Sequence, residues 1–493
     1  MVKHRKRKID FMKKFYISTA LPYVNYSPHA GFALELVQAD VLSRYHRLLG
    51  EDVFFLSGTD ENSLKNVQVA EKEGIEVKEF VDRNAQKFYD LKKESILNLS
   101  FDDFIRTTEK RHIEGAQKLW LACQKDIYKK KYQGLYCLGC EEFYKEDELV
   151  NGLCPEHKTK PELIEEENYF FRLAKYQKQL KKIIGGNQIE IIPQTRKNEI
   201  LSFIDSGLQD FCISRSAERG RGWGIPVPGD SSQIIWTWFD ALSNYINALG
   251  YAGNSDEFQE WWQKNENKLH VIGKGILRFH GIYWIAMLLS ANLVLPRTIF
   301  VHGYLTYEGR KMSKSLGNIV DPFELVKKYG TDPVRYYLLR EFASTEDGDF
   351  SIKRFEERYN ADLANGLGNL VSRVLALSEK VKPVKPDSAD DQLAQEIKLT
   401  QEKYRKAMEE IKFNEALEVI WQLISAGDEF VDRNKIWELV KTDSEKAKKD
   451  LGALSNALKE ISRLLKPFMP ETSQKILVQV KRNKKTEALF PRL

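Results

Sequence analysis

The chain has 493 residues, 42% apolar and 30% charged, a globular composition that excludes global disorder and suggests about three domains at roughly 150 residues each. Formal charge is +5. Seven Lys/Arg and one Asp in residues 1–14 supply +6, leaving −1 for the rest, so the charge is weak evidence for nucleic-acid binding by the folded body.

Residues 1–14 form a basic N-terminal extension, read as a solvated tail, with Met12 an alternative start. The stretch has no apolar core and is no secretory signal. Lys14–Ala20 is a β-rich run ending at the breaker Leu21-Pro22-Tyr23. From Gly31 to Leu49 the residues Ala33, Leu34, Val37, Val41 and Leu42 recur at helical spacing, and Gly50 is placed to end the helix. Asp52–Gly58 is a second buried strand. Strand, helix and strand with short joints predict a parallel sheet, which binds ligands at the carboxyl ends of its strands, here Leu21–His29 and Gly58–Asp60.

A Cys-bearing, charge-rich insertion follows. Cys137-Leu-Gly-Cys140 precedes Cys154-Pro-Glu-His157 by thirteen residues. Two short ligand pairs at this separation are expected to close one structural, tetrahedral Cys₃His zinc site, the alternative being reduced bystander thiols. Cys123 and Cys212 fall outside the spacing and read as buried thiols. Five cysteines in a chain with no secretory signal make no disulfide framework, and a cytoplasmic location is expected.

A second α/β block spans about 230–350. It has strands at Lys268–Lys274 and Arg297–Tyr304 and a helix at Phe279–Ser290. The longest apolar run, Tyr283–Pro296, is too short to span a bilayer, so no membrane is expected. From 355 onward strand signals stop. Tyr359–Leu377, Asp391–Ile411, Phe413–Val431 and Glu445–Leu465 are helically periodic and fit a bundle.

After the last strand comes Lys311-Met-Ser-Lys-Ser315, a polar loop whose ammonium groups suit charge developing on a triphosphate. It is similar to the signature loop of class I aminoacyl-tRNA synthetases. The first turn carries Ser27-Pro-His-Ala-Gly-Phe32, which resembles the partner His–Ile–Gly–His element. His29 and Gly31 are in place and Phe32 stands for the second histidine. Four stretches narrow the resemblance to the methionyl-tRNA synthetase family: Thr19–Asn25, Gly58–Glu61, Trp238–Tyr245, and Ile272–Lys274 with Arg278–Trp284. The chain departs from that family at Phe32, at Asn62-Ser63 in place of His–Gly, and at Gly275 in place of an acid.

The resemblance implies a Rossmann-like parallel-sheet catalytic domain split between 15–115 and 230–354. A connective insertion with a zinc knuckle occupies 116–229, and an all-α helical-bundle anticodon-binding domain covers 355–493. It implies catalytic roles for His29, Lys311 and Lys314, with ATP held also by Gly31, Ser313 and Ser315 and accompanied by magnesium. The methionine site would comprise Leu21, Tyr23, Asp60, Trp238, Tyr245, Phe279, His280 and Trp284. Aromatic faces suit a thioether, and Asp60 would take the α-ammonium group. Asn365, Asn369 and Arg373, four apart on one helix face, would read the tRNA anticodon with Trp437. A cap network with a core Trp is the plainer reading of those four. The expected activity is ligation of methionine to the 3′ end of its tRNA, for initiation and elongation. The chain ends close behind the bundle, so a monomer is expected. Rivals are a synthetase for another apolar amino acid and a non-catalytic tRNA-binding paralogue. Editing of homocysteine is a further expectation.

Overall fold

The computed structural model describes residues 13–137, 142–156, 158–312, 318–384, 392–484 and 487–493. The chain divides into two compact units. One comprises Met1–Pro28, His46–Asp90 and Phe101–Val301; the other comprises His29–Tyr45, Leu91–Ser100 and His302–Leu493.

The first unit is built on a six-stranded sheet. Its strands are β1 (Lys14–Thr19), β2 (Asp52–Thr59), β3 (Asp103–Arg106), β4 (Glu190–Ile192), β5 (Lys268–Gly273) and β6 (Thr298–His302), in the order β3-β2-β1-β5-β6-β4. The pairings β1–β2, β2–β3, β1–β5 and β6–β4 are parallel. All but the first residue of β1 are buried, and β5 is buried throughout. Near-continuous apolar runs are what a sheet covered on both faces requires. The register sets Tyr16 opposite Lys268 and Phe54, so β1 is central. Its carboxyl end and that of β2 continue side by side: Tyr23 and Asp60 form an isolated parallel bridge, and the Asp60 N–H donates to Pro22 O at 2.9 Å.

The insertion is an antiparallel sheet of Ile127–Cys137 between Glu142–Tyr144 and Glu162–Phe171, with Phe211–Cys212 at its edge. The second α/β block differs from expectation in one helix. Phe279–Trp284 is a π-helical turn, and the α-helix runs only over Ile285–Ser290.

The second unit contains the Ala30–Tyr45 part of the first helix, Ala30–Leu48, which was expected from Gly31 to Leu49. A small sheet orders Arg310–Lys311, Leu305–Tyr307 and Gly348–Phe350. Helices follow at Gln392–Glu409, Phe413–Arg433, Ile436–Thr442, Ser444–Leu465 and Pro470–Arg482. The last was not anticipated, although Pro470 at its first turn is a start signal. The expected Tyr359–Leu377 helix is π-helical over Tyr359–Gly368 and α-helical over Asn369–Ser378.

Candidate active site

Asp60 leaves β2 at its carboxyl end and is 2% exposed. Its Oδ1 accepts the Asn62 N–H at 3.3 Å, and Thr237 Oγ1 lies 3.1 Å from Oδ2 and 3.3 Å from Oδ1. The next carboxylate, Glu61, is fully buried and differently engaged. Arg106 donates to both its oxygens at 2.6 and 2.9 Å, and the hydroxyls of Thr59 and Thr108 donate at 2.8 and 2.5 Å. Buried charges persist when paired and hydrogen-bonded, so Glu61 is a structural anchor that fixes the turn bearing Asp60. Asn62 donates to Thr107 O at 3.2 Å and Asp240 Oδ2 at 3.1 Å, and Ser63 caps the following helix. The Asn62-Ser63 departure is thus built into this turn.

Thr237 begins a short helix, Thr237–Leu242, whose next residue is Trp238. The Trp238 ring stacks on Phe279 at 3.9 Å and 7°. Beside Phe279, His280 Nε2 meets Tyr245 Oη at 2.7 Å, and its Nδ1 faces Ile276 O at 2.9 Å. A carbonyl oxygen only accepts, so Nδ1 carries the proton and Nε2 accepts from the phenol. Burial pushes His280 down to about 4, which keeps it neutral at pH 7.

Tyr245 and Trp284 are both buried, their rings 5.9 Å apart. Behind them lies His270, which the sequence did not single out. Trp284 Nε1–H donates to its Nε2 at 3.3 Å, its Nδ1 meets Ser18 Oγ at 2.6 Å, and the Tyr245 ring lies 4.1 Å away. Tyr16 Oη donates to Tyr245 O at 2.8 Å. Leu21 and Trp238 pack against the same buried cluster as Phe279, Tyr245 and Trp284. The residues expected to hold the amino acid are thus linked in series: Tyr23 bridges to Asp60, Asp60 meets Thr237, and Trp238, the next residue, leads through Phe279 and His280 to Tyr245 and Trp284. A separate cavity of about 390 Å³ is lined partly by Trp236 and Tyr283, whose rings contact Phe279, and by Arg215 and Arg278.

In the second unit, His29 is half-buried and burial lowers its pKa. The Gly31 N–H donates to His29 Nδ1 at 3.1 Å, so the neutral ring carries its proton on Nε2. A Cβ on Gly31 would stand 3.0 Å from His29 Cε1. The backbone of Lys311 pairs with Thr306 across a hairpin with Glu308 and Gly309 at φ 49° and 73°. Positive φ at both central residues is the type I′ requirement. The Lys311 side chain and Ser313, Lys314 and Ser315 lie outside the described residues.

Asn365 and Asn369 are exposed, Arg373 is half-buried, and Trp437 is 41% exposed, so Trp437 is not the core residue of the plainer reading. Asn365 Oδ1 accepts from Arg492 Nε at 3.0 Å, and Arg373 donates to Asp428 at 3.0 Å and Asp432 at 2.5 Å.

Cys123 and Cys212 are buried thiols, as expected, and burial pushes Cys123 up to about 12. Cys137 and Cys154 are also buried. Both adjoin Thr159: Cys137 Sγ lies 3.8 Å from its hydroxyl, and the Cys154 N–H donates to its carbonyl at 2.9 Å. Cys140 and His157 lie outside the described residues. Among the described residues no helix is long and apolar enough to cross a membrane.

The family of class I tRNA synthetases (M) matches residues 15–161 and 157–375, and the anticodon-binding domain of methionyl-tRNA ligase matches 383–490. The chain belongs to the class I methionyl-tRNA synthetases. Among these synthetases, the methionine–tRNA ligase of Brucella suis is 42% identical over 477 residues, covering 94% of this chain and 91% of that protein. That of Clostridium acetobutylicum is 43% identical over 482 residues, covering 95% and 73%. The solved Mycobacterium tuberculosis methionyl-tRNA synthetase in complex with methionyl-adenylate is similar at a TM-score of 0.90 and 37% identity, over 98% of this chain and 100% of that one. Its apo form gives 0.83 at 35% identity, over 98% and 99%.

Proposed function

We infer that the protein is a methionine–tRNA ligase. It activates methionine with ATP to methionyl-adenylate and pyrophosphate, then passes the methionyl group to the 3′ end of its tRNA for initiation and elongation. The carrying observation is the continuity from the Asp60 carboxylate through Thr237 to the stacked Trp238–Phe279 pair and the Tyr245–His280 bond, in a chain of this family. A carboxylate beside an aromatic wall suits a zwitterion with a thioether side chain.

Asp60 holds the α-ammonium group. Tyr23, Trp238, Tyr245, Phe279, His280 and Trp284 line the thioether, and Leu21 adds backbone. Because His280 is neutral and donates toward Ile276 O, it brings no charge near the sulfur. The substrate carboxylate attacks the α-phosphate in line. Neither step needs a protein nucleophile, so positioning and charge stabilisation carry the rate. His29, through its protonated Nε2, and Lys311 and Lys314 meet the phosphates. Gly31, Ser313 and Ser315 complete the ATP contacts, and magnesium comes with ATP.

Zinc fits the insertion. The two described thiols are buried beside a common residue, Thr159, and the ligand set is Cys137, Cys140, Cys154 and His157. The ion would order the knuckle and take no part in the reaction. Asn365, Asn369, Arg373 and Trp437 read the anticodon, supported by the exposure of Trp437. The domains follow the limits 15–115 with 230–354, 116–229 and 355–493. The buried thiols Cys123 and Cys212 support a reducing, cytoplasmic setting. The family membership and the intact amino-acid wall favour the enzyme over a non-catalytic paralogue, despite Phe32 and Gly275.

The test is amino-acid-dependent ATP–pyrophosphate exchange with methionine, leucine, isoleucine, valine and cysteine, with metal content measured on the same sample. Exchange with methionine alone and one zinc per chain are expected. Exchange with another amino acid overturns the pocket reading, and none at all favours the paralogue.

A further inference from the structure

We propose that Thr237 is a positioning residue whose hydroxyl orients the Asp60 carboxylate for the α-ammonium group of the substrate. The proposal rests on the reading that Asp60 binds that group.

A carboxylate's terminal torsion is broad and two-fold, so its plane must be fixed from outside. Here two donors come from different segments. The Asn62 N–H reaches Oδ1 at 3.3 Å, and Thr237 Oγ1 stands nearer Oδ2, at 3.1 Å, than Oδ1, at 3.3 Å. The hydroxyl donates within reach of both oxygens and stands closer to Oδ2. Donors from two separate segments thus fix the carboxylate plane.

Both partners are buried, Asp60 at 2% and Thr237 at 3% exposed, so water does not substitute for the hydroxyl. Threonine suits the task because its branched Cβ stiffens χ1 and holds Oγ1 in place. The position matters as much as the group. Thr237 precedes Trp238, whose ring stacks on Phe279 at 3.9 Å. One turn of chain thus carries both the hydroxyl that aims the carboxylate and a ring facing the thioether. Preorganised groups of this kind keep ordering costs out of substrate binding.

The experiment compares Thr237→Val, which keeps the shape and removes the hydroxyl, with Thr237→Ser, which keeps the hydroxyl. Steady-state exchange gives the KM for methionine and for ATP. Competitive inhibition by 4-(methylthio)butanoate, methionine without its amine, reports the thioether and carboxylate contacts without the ammonium group. Thr237→Val is expected to raise the methionine KM about tenfold, the order of a lost charge-assisted hydrogen bond. The ATP KM and inhibition by the amine-free analogue stay within twofold, and Thr237→Ser stays close to the parent. An unchanged methionine KM, or parallel weakening of the analogue, overturns the proposal. Should Thr237→Val not fold, Thr237→Ala is read the same way. Asp60→Asn separates the two levels: if it leaves the methionine KM unchanged, the reading of Asp60 itself falls. If it raises that KM while Thr237→Val does not, only the role of Thr237 falls.

Discussion

Glu35 and His302, 267 positions apart, meet at 2.8 Å, Oε2 to Nε2, and both side chains are buried. Glu35 lies just past the first turn of the helix that opens with His29 and Gly31. His302 ends β6, and the chain then runs toward Lys311. Beyond the loop, Val320 O accepts the Ala30 N–H at 2.9 Å. The segment from 303 to 319 is therefore tied at both ends to the helix bearing the other signature motif.

Loosening that tie should be felt at ATP rather than at methionine. Removing one partner of a buried hydrogen-bonded pair leaves the other unsatisfied. Glu35→Gln is expected to lower ATP–pyrophosphate exchange about tenfold, with the methionine KM within twofold. Transfer from preformed methionyl-adenylate to tRNA should hardly change. Equal losses in both steps would mean a general loss of fold.

Gly31 packs closely against its neighbour's ring. Its N–H fixes His29 Nδ1 at 3.1 Å, and a Cβ would sit 3.0 Å from Cε1 and 3.1 Å from Nδ1. Gly31→Ala presses on the imidazole, which has to give by a few tenths of an ångström. In the ATP-binding role proposed for His29, a shift of that size should lower exchange about tenfold, with little change in thermal midpoint. An alanine enzyme of parental activity would show that His29 need not point as it does.

The buried imidazoles make stability fall in acid. His280 is pushed from 6.5 to about 4 by burial, so the unfolded chain takes up a proton below pH 6.5 that the native site refuses until about 4. The contribution of His280 to stability is therefore constant above 6.5, falls as pH drops from 6.5 to 4, and is lower by about 3 kcal/mol at the end of that window at about 1.4 kcal/mol per unit. His280→Gln keeps an acceptor for Tyr245 and removes the titration. Its thermal midpoint should fall less than the parent's between pH 7.5 and 5. Parallel curves would show that His280 does not stay neutral in the fold.

The start of the fold was readable because its signals are local. The apolar run of β1, the 3.6-residue spacing through Val41 and the left-handed Gly50, φ 82°, all sit within 40 residues. The π-helical turns at Phe279–Trp284 and Tyr359–Gly368 were not readable. Over one or two turns, apolar spacing does not separate 3.6 residues per turn from a wider helix. The site divides the same way. Asp60 and the aromatic positions stand in motifs, whereas Thr237, His270 and Ser18 matter only through packing between distant segments. Thr237 meets Asp60 across 177 positions and Ser18 meets His270 across 252, and no local pattern marks either pair.

The anticodon-reading role proposed for Trp437 can be tested apart from the chemistry. It begins the second position of the Ile436–Thr442 helix, where Ile436 is fully buried and Trp437 is 41% exposed. Ile436 therefore anchors the helix, while much of the indole surface faces solvent, where a base can stack. Stacking of a base on an aromatic ring is worth about 1–3 kcal/mol. Trp437→Ala should accordingly lower kcat/KM for tRNA charging about 10- to 100-fold, while methionine-dependent pyrophosphate exchange stays at the parental rate. An exposed substitution costs little stability, so the thermal midpoint should hold, and Trp437→Phe should recover part of the loss. Charging at the parental rate by Trp437→Ala would remove this residue from the anticodon site and leave Asn365, Asn369 and Arg373 to carry the reading.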